Sequence, residues 1–311
     1  MRYGNDKRQG ENAMIHTKKS TGDRLIDAGL AIILAGIALI TLYPFWTQVV
    51  ISMDGAGADS AAYSAGVILL PTELTFESYK LAFQFDALWT GYRNTIVRTV
   101  MGVALSVCLT AVTAYPLAKR DLPFNRAITG FILFTMLFSG GMIPIYLLIK
   151  ELNMLNTIWA LVIPTAIGAF NVLIMRNFFR SIPGEVEESA RVDGAGYFRI
   201  FLLIIVPLSK PVLATIALWV AVGHWNAWFD SMIYVTDPDK QVLQIVLRKI
   251  IIQNNMADIN NVIQNIGKTT VFSGRQLQAT VVMFSIIPML IVYPFIQKYF
   301  VKGVMIGAIK G

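Results

Sequence analysis

The chain has 311 residues, 55% of them hydrophobic and only 14% charged, against about 25% charged in ordinary globular proteins. Its apolar residues gather in runs of roughly 20, the length that crosses a hydrocarbon core about 30 Å thick, which excludes a soluble enzyme, a disordered regulator and a disulfide-stapled secreted module. One cysteine, Cys108, allows neither an intrachain disulfide nor a cysteine metal cluster, and the net charge of +7 reads as basic residues on one side of a membrane, not as a nucleic-acid footprint.

Six segments have spanning length, which predicts an all-α integral membrane protein of six transmembrane helices. They run Ile26–Met53, Val100–Ala118, Ala127–Ile149, Thr157–Met175, Pro211–Val235 and Ala279–Phe300. The third is interrupted by Ser139-Gly140-Gly141 and Pro144. The first is too long for the h-region of a cleaved signal, about 7–15 residues, and reads as a retained helix. Residues 1–24 form an N-terminal tail, 25–302 the membrane domain and 303–311 a C-terminal tail. Six prolines fall within spans: Pro44, Pro116, Pro144, Pro164, Pro288 and Pro294. They mark either ordinary membrane-helix prolines or helices broken so that a bundle can open.

Lys and Arg set the orientation. Seventeen of the 26 lie in the N-terminal tail, the second–third and fourth–fifth connections and the C-terminal tail. By the positive-inside rule both termini and the 180–211 loop face the cytoplasm, and the 236–278 loop is external. The spans are poor in the ionisable residues that serve ion-driven carriers, with only His224 and Asp230, both in the fifth span, as material.

The cytoplasmic loop reads RSIPGEVEESARVDGAGYFRIFLLIIVPLSKP from Arg180 to Pro211. Ser181 is a candidate N-cap and Pro183 suits a first helical position. Glu185, Glu187 and Glu188 favour the start of the helix, and Gly194 and Gly196 around Ala195 signal a stop and a turn. A short helix with three glutamates before its one arginine suits a protein groove better than anionic lipid.

In this loop Glu188-Ser189-Ala190, Asp193-Gly194-Ala195 and the Pro207-Leu208…Pro211 ending resemble the EAA loop of permease subunits in binding-protein-dependent ABC importers, with Ser189 where Ala is usual. WNAWFDSMIYV from Trp225 and the C-terminal YPFIQKYFVKGVMIGAIKG resemble the maltose-type carbohydrate-uptake branch. The segment Phe138–Pro164 resembles a subgroup handling complex oligosaccharides and polysaccharide fragments. The likeness covers about residues 20–311.

It implies a MetI-like permease architecture in the bacterial cytoplasmic membrane, surrounded by lipid and forming half of a translocation pathway for an oligosaccharide. It also implies a second permease subunit, an ABC ATPase dimer and an extracellular substrate-binding protein as partners. The ATPase would meet Glu187, Glu188, Ser189, Ala190, Asp193, Gly194 and Ala195, and the tail residues Lys302, Gly303, Gly307 and Lys310 would reach its dimer interface. No cofactor is expected in this chain, since ATP and Mg would be bound by the ATPase. The one GKT triplet, Gly267-Lys268-Thr269, has Val262 where a Walker A loop needs glycine, and it falls in the external loop. No catalytic or metal-ligating constellation is visible, so an enzyme is not expected.

Trp225, Asn226, Trp228, Phe229 and Asp230 are the candidates for the substrate pathway. Trp225 and Phe229 would share one helical face and Asn226 and Asp230 the next. Aromatic faces suit sugar rings, although interfacial belts give similar clusters. In the outer loop, QVLQIVLRKIIIQNN from Gln241 is an amphipathic helix too short to span. It either docks the binding protein or packs on the bundle. The rival function is a stand-alone secondary carrier, which would transport without an ATPase.

Overall fold

The computed structural model describes residues 21–55, 69–252 and 275–291. Within them the chain is helical, apart from turns and one isolated antiparallel bridge between Asp54 and Leu74. Helix α1, Thr21–Ser52, continues past Pro44. Leu30, Ile32, Leu34, Leu39 and Ile40 are exposed on it, as suits a helix with hydrocarbon for its solvent. Its buried residues, Val50, Ile51 and Ser52, lie together at its C-terminal end. The Ser78 hydroxyl donates to the Ser52 carbonyl at 2.8 Å there, and the Trp46 indole donates to the Leu69 carbonyl at 2.8 Å.

A short helix α2, Glu77–Phe83, leads into α3, Asp86–Ala118, a 33-residue helix that is the axis of the bundle. It begins 14 residues before the expected Val100, because Arg93 and Arg98 interrupt the apolar run without interrupting the helix. Gly91, Thr95, Arg98, Gly102, Ser106 and Thr110 follow one another at spacings of three and four, and all are buried. Small residues at such spacing let helices approach closely in a membrane.

The next three spans are broken. Helices α4, Asn125–Leu137, and α5, Met142–Glu151, meet at 107° across the Ser139-Gly140-Gly141 break, with Gly141 at φ +85. The piece Ile158–Thr165, α6, whose end around Pro164 tightens to a 3-10 turn, meets α7, Ala169–Ser181, at 51°. After the short helix α8, Gly184–Val192, come α9, Tyr197–Leu208, and α10, Lys210–Asn226, bent by 78° at Ser209 between Pro207 and Pro211. A π-helical turn, Phe201–Ile205, loosens α9 just before that bend. The fifth span does not continue to Val235 as expected. Ala227 and Trp228 leave the helix, and a separate α11 occupies Phe229–Tyr234.

Helix α12, Leu243–Ile252, and the 17-residue α13, Arg275–Ile291, complete the described structure. Among the described residues two helices are long and apolar enough to span, and five spans result when each bent pair counts as one. The sixth expected span begins in α13, and its end at Phe300 lies outside the described residues. So do Pro294, the Gly267-Lys268-Thr269 triplet and the tail residues Lys302, Gly303, Gly307 and Lys310.

One core cluster joins Ala114, Tyr115, Met175, Phe179, Ala190, Ile200 and Ile216, at the end of α3 that carries the 180–211 loop. Arg176 and Arg180, which the sequence offers as topology cations, also cap α3: the Arg176 Nε donates to the Leu117 carbonyl at 3.0 Å and an Arg180 Nη to the same oxygen at 3.2 Å. A second cluster joins Leu88, Tyr92, Trp225, Leu243, Val246, Leu247, Ile250 and Phe284 at the other end. The amphipathic helix expected from Gln241 onward thus packs on the bundle. A Cβ on Gly91 would stand 2.9 Å from the Leu243 Cα, so glycine is what admits that approach.

Candidate functional site

Ser181 closes α7, its hydroxyl donating back to the Phe178 carbonyl at 2.7 Å, and so does not cap the next helix as expected. Pro183 takes the N-cap position and α8 begins at Gly184. The helix ends on a Schellman motif: the Gly194 N–H donates to the Arg191 carbonyl and the Ala195 N–H to the Ala190 carbonyl, each at 2.9 Å. Gly194 supplies the left-handed residue this closure needs, at φ +82, with open space around it.

The two faces of α8 differ. Ala190 is buried in the bundle core. Glu187 also turns inward and pairs with Lys119, while the Tyr115 hydroxyl donates to it at 3.4 Å. The Lys119 ammonium in turn lies 4.4 Å from the centre of the Tyr115 ring. Glu185, Glu188, Ser189, Asp193 and Gly194 are exposed, and Val192 is 88% exposed. Of the seven residues expected to meet an ATPase, Glu187 and Ala190 anchor the helix, Ala195 is half-buried, and Glu188, Ser189, Asp193 and Gly194 face outward.

At the other end the aromatic cluster does not form the single helical patch expected. The break at Ala227 separates Trp225 from Phe229: Trp225 is buried at 8% exposure and Phe229 is 48% exposed. Asn226 is exposed and its amide donates to the Val222 carbonyl at 2.9 Å, whereas Asp230 turns into the bundle. Sequence reasoning missed the residue that organises this break. Arg98, 1% exposed, pairs through an Nη with Asp230. It donates through the other Nη to the Ala227 carbonyl at 3.1 Å and through Nε to His224 Nδ1 at 3.2 Å.

One guanidinium therefore satisfies a carboxylate, an imidazole and a carbonyl near the break. His224 is thereby a hydrogen-bonded packing residue. Gly102 makes room for it, since a Cβ there would lie 2.2 Å from the imidazole Nε2. The signal available in the sequence was the run of small and polar residues around Arg98 on one face of α3.

Beside the break, Trp225, Asn226 and Trp228 share a pocket of about 510 Å3 with Gln244, Leu247 and Arg248 of α12 and with Ser285 and Met289 of α13. The Arg248 guanidinium stacks 4.1 Å from the centre of the Trp228 ring. Thus three of the five residues expected to line a pathway meet in one cavity. Phe229 and Asp230 are not in its wall.

A broken-helix bundle that offers an anchored acidic helix at one end and a polar-aromatic pocket at the other defines a transport permease. The chain belongs to the family of binding-protein-dependent transport system inner membrane components, which it matches over residues 106–306. It is 39% identical to Protein LplC of Bacillus subtilis (strain 168), over 96% of this chain and 100% of that one. It is 38% identical to the polygalacturonan/rhamnogalacturonan transport system permease protein YtcP of the same organism, over 93% of this chain and 99% of that one. Among solved structures, a chain of a bacterial ABC transporter involved in the import of the acidic polysaccharide alginate superposes with a TM-score of 0.83 at 36% identity, covering 91% of this chain and 99% of that one.

Proposed function

We propose that this chain forms half of the pathway of an ATP-binding cassette importer for an oligosaccharide or polysaccharide fragment, in the bacterial cytoplasmic membrane. A second permease subunit completes the pathway, an extracellular binding protein delivers the sugar, and an ATPase dimer supplies the hydrolysis, binding ATP and Mg. The relatives named for polygalacturonan and alginate transport support the substrate class. The observation that carries the coupling role is α8. It holds itself to the bundle through Ala190 and Glu187 while presenting Glu188, Ser189, Asp193 and Gly194 outward.

Closure of the ATPase dimer on ATP would push on this exposed face. Because Glu187 and Ala190 tie the helix to α3, the push would pass into the bundle axis. The pathway would then alternate between two states, the sugar entering past Trp225, Asn226 and Trp228. The C-terminal residues Lys302, Gly303, Gly307 and Lys310 would add a second contact with the ATPase.

Purification of the tagged chain from its membrane tests this reading. An ATPase subunit should accompany it, and liposomes holding the full assembly should take up sugar only with ATP and binding protein. Uptake by this chain without an ATPase, driven by an ion gradient, would make it a secondary carrier instead.

A further inference from the structure

Arg248 is the least explained cation near the outer pocket. Asp230 is committed to Arg98, Asp237 to Lys240, and Lys249 donates to the Gln241 side chain at 2.7 Å. Among the described residues Arg248 forms no ion pair, and its recorded contact is the face of Trp228. Stacking on an indole occupies one face of a guanidinium and leaves its in-plane N–H donors available. Those donors match a carboxylate bidentately, and the stacking holds them before the ligand arrives. The pocket wall around them is mixed: Trp225 and Trp228 offer ring faces, while Asn226, Gln244 and Ser285 offer groups that bond hydroxyls. Its volume, about 510 Å3, lies within the range of about 300–1,000 Å3 typical of small-ligand sites.

We infer that this pocket is a subsite for a carboxylated sugar residue, with Arg248 receiving the carboxylate and Trp228 holding Arg248 in place. The inference rests on the pathway reading of the aromatic residues and narrows it to acidic oligosaccharides.

The complete importer in liposomes provides the test, with trimers of galacturonate and of mannuronate as probes. Arg248→Gln should lower uptake of the acidic trimer by about tenfold, the loss of one charged hydrogen-bonding partner. Arg248→Lys should recover part of it, and the effect should be equal in neutral and in phosphatidylglycerol-rich vesicles. Assembly with the ATPase and the melting temperature of the complex should stay unchanged. Wild-type uptake of neither trimer would overturn the inference, and so would full activity of Arg248→Gln.

A loss seen only in anionic vesicles would make Arg248 a lipid-headgroup contact, and a loss with failed assembly would make it structural. Either result also overturns the inference. Asn226→Ala separates the two levels of the claim. If it lowers uptake while Arg248→Gln is silent, the pathway reading stands and the anion subsite falls. If both are silent, the pathway reading falls as well.

Discussion

The 180–211 loop and the pocket beside Trp228 are both built where helices stop, but they are held in different ways. At the loop end α8 is closed by its own backbone through Gly194 and Ala195, while Ala190 and Glu187 reach into the bundle and Ala195 packs against it. At the opposite end of α3 the break after Asn226 is held from a distance, by Arg98 lying more than 120 residues earlier in the chain. The first arrangement leaves a helix free to meet another protein. The second fixes one wall of a pocket against the bundle axis, and under the proposed coupling a load applied at the loop would arrive there through α3.

Four substitutions would break or sharpen this contrast. The largest effect is expected from Gly194→Asp, which forces a side chain into left-handed backbone at a cost of roughly 1–2 kcal/mol and places a charge on the docking face. Uptake and binding-protein-stimulated ATP hydrolysis should be lost while the protein remains in the membrane, which transport and hydrolysis assays on the same vesicles would show.

At the other end, Arg98→Leu strands Asp230 and frees the Ala227 carbonyl. The cost should be about 3–5 kcal/mol, visible as a lower melting temperature of the purified complex. Replacing both partners, Arg98→Met with Asp230→Leu, should recover much of that loss, because no buried charge is then left alone.

Gly102→Ala should cost about 1–3 kcal/mol, since its new methyl would overlap the His224 ring at 2.2 Å. The same thermal measurement reads it, and a Gly102→Ala/His224→Ala pair should lose less than the two changes summed. The smallest effect is expected from Glu187→Gln, worth about 1 kcal/mol or less for a partly exposed pair. It should reduce the yield of co-purified ATPase slightly, and the exchange Lys119→Glu with Glu187→Lys should restore it.

The contrast also explains what could be read in advance. The loop was legible because its determinants are local: acidic residues at a helix start, small residues on one face, and glycine at a turn. Its misreadings, Ser181 as the cap and Pro183 as the first helical residue, are shifts along the same few residues. The outer end was not legible in this way. Neither proline nor glycine marks the break at Ala227. It is specified by hydrogen bonds from Arg98, which apolar-run counting had placed outside the second span. The amphipathic pattern from Gln241 was readable, but its covering partner was not, because that depends on Gly91 yielding to the Leu243 backbone.

The central claim is that α8 turns one face to an ATPase and the other to its own bundle. Site-specific photocrosslinkers introduced singly at positions 187, 188, 189, 190 and 193 of the assembled importer test it directly. Positions 188, 189 and 193 should give adducts with the ATPase subunit, whereas 187 and 190 should give none. Adducts from 187 and 190, or none from any of the five, would contradict the account.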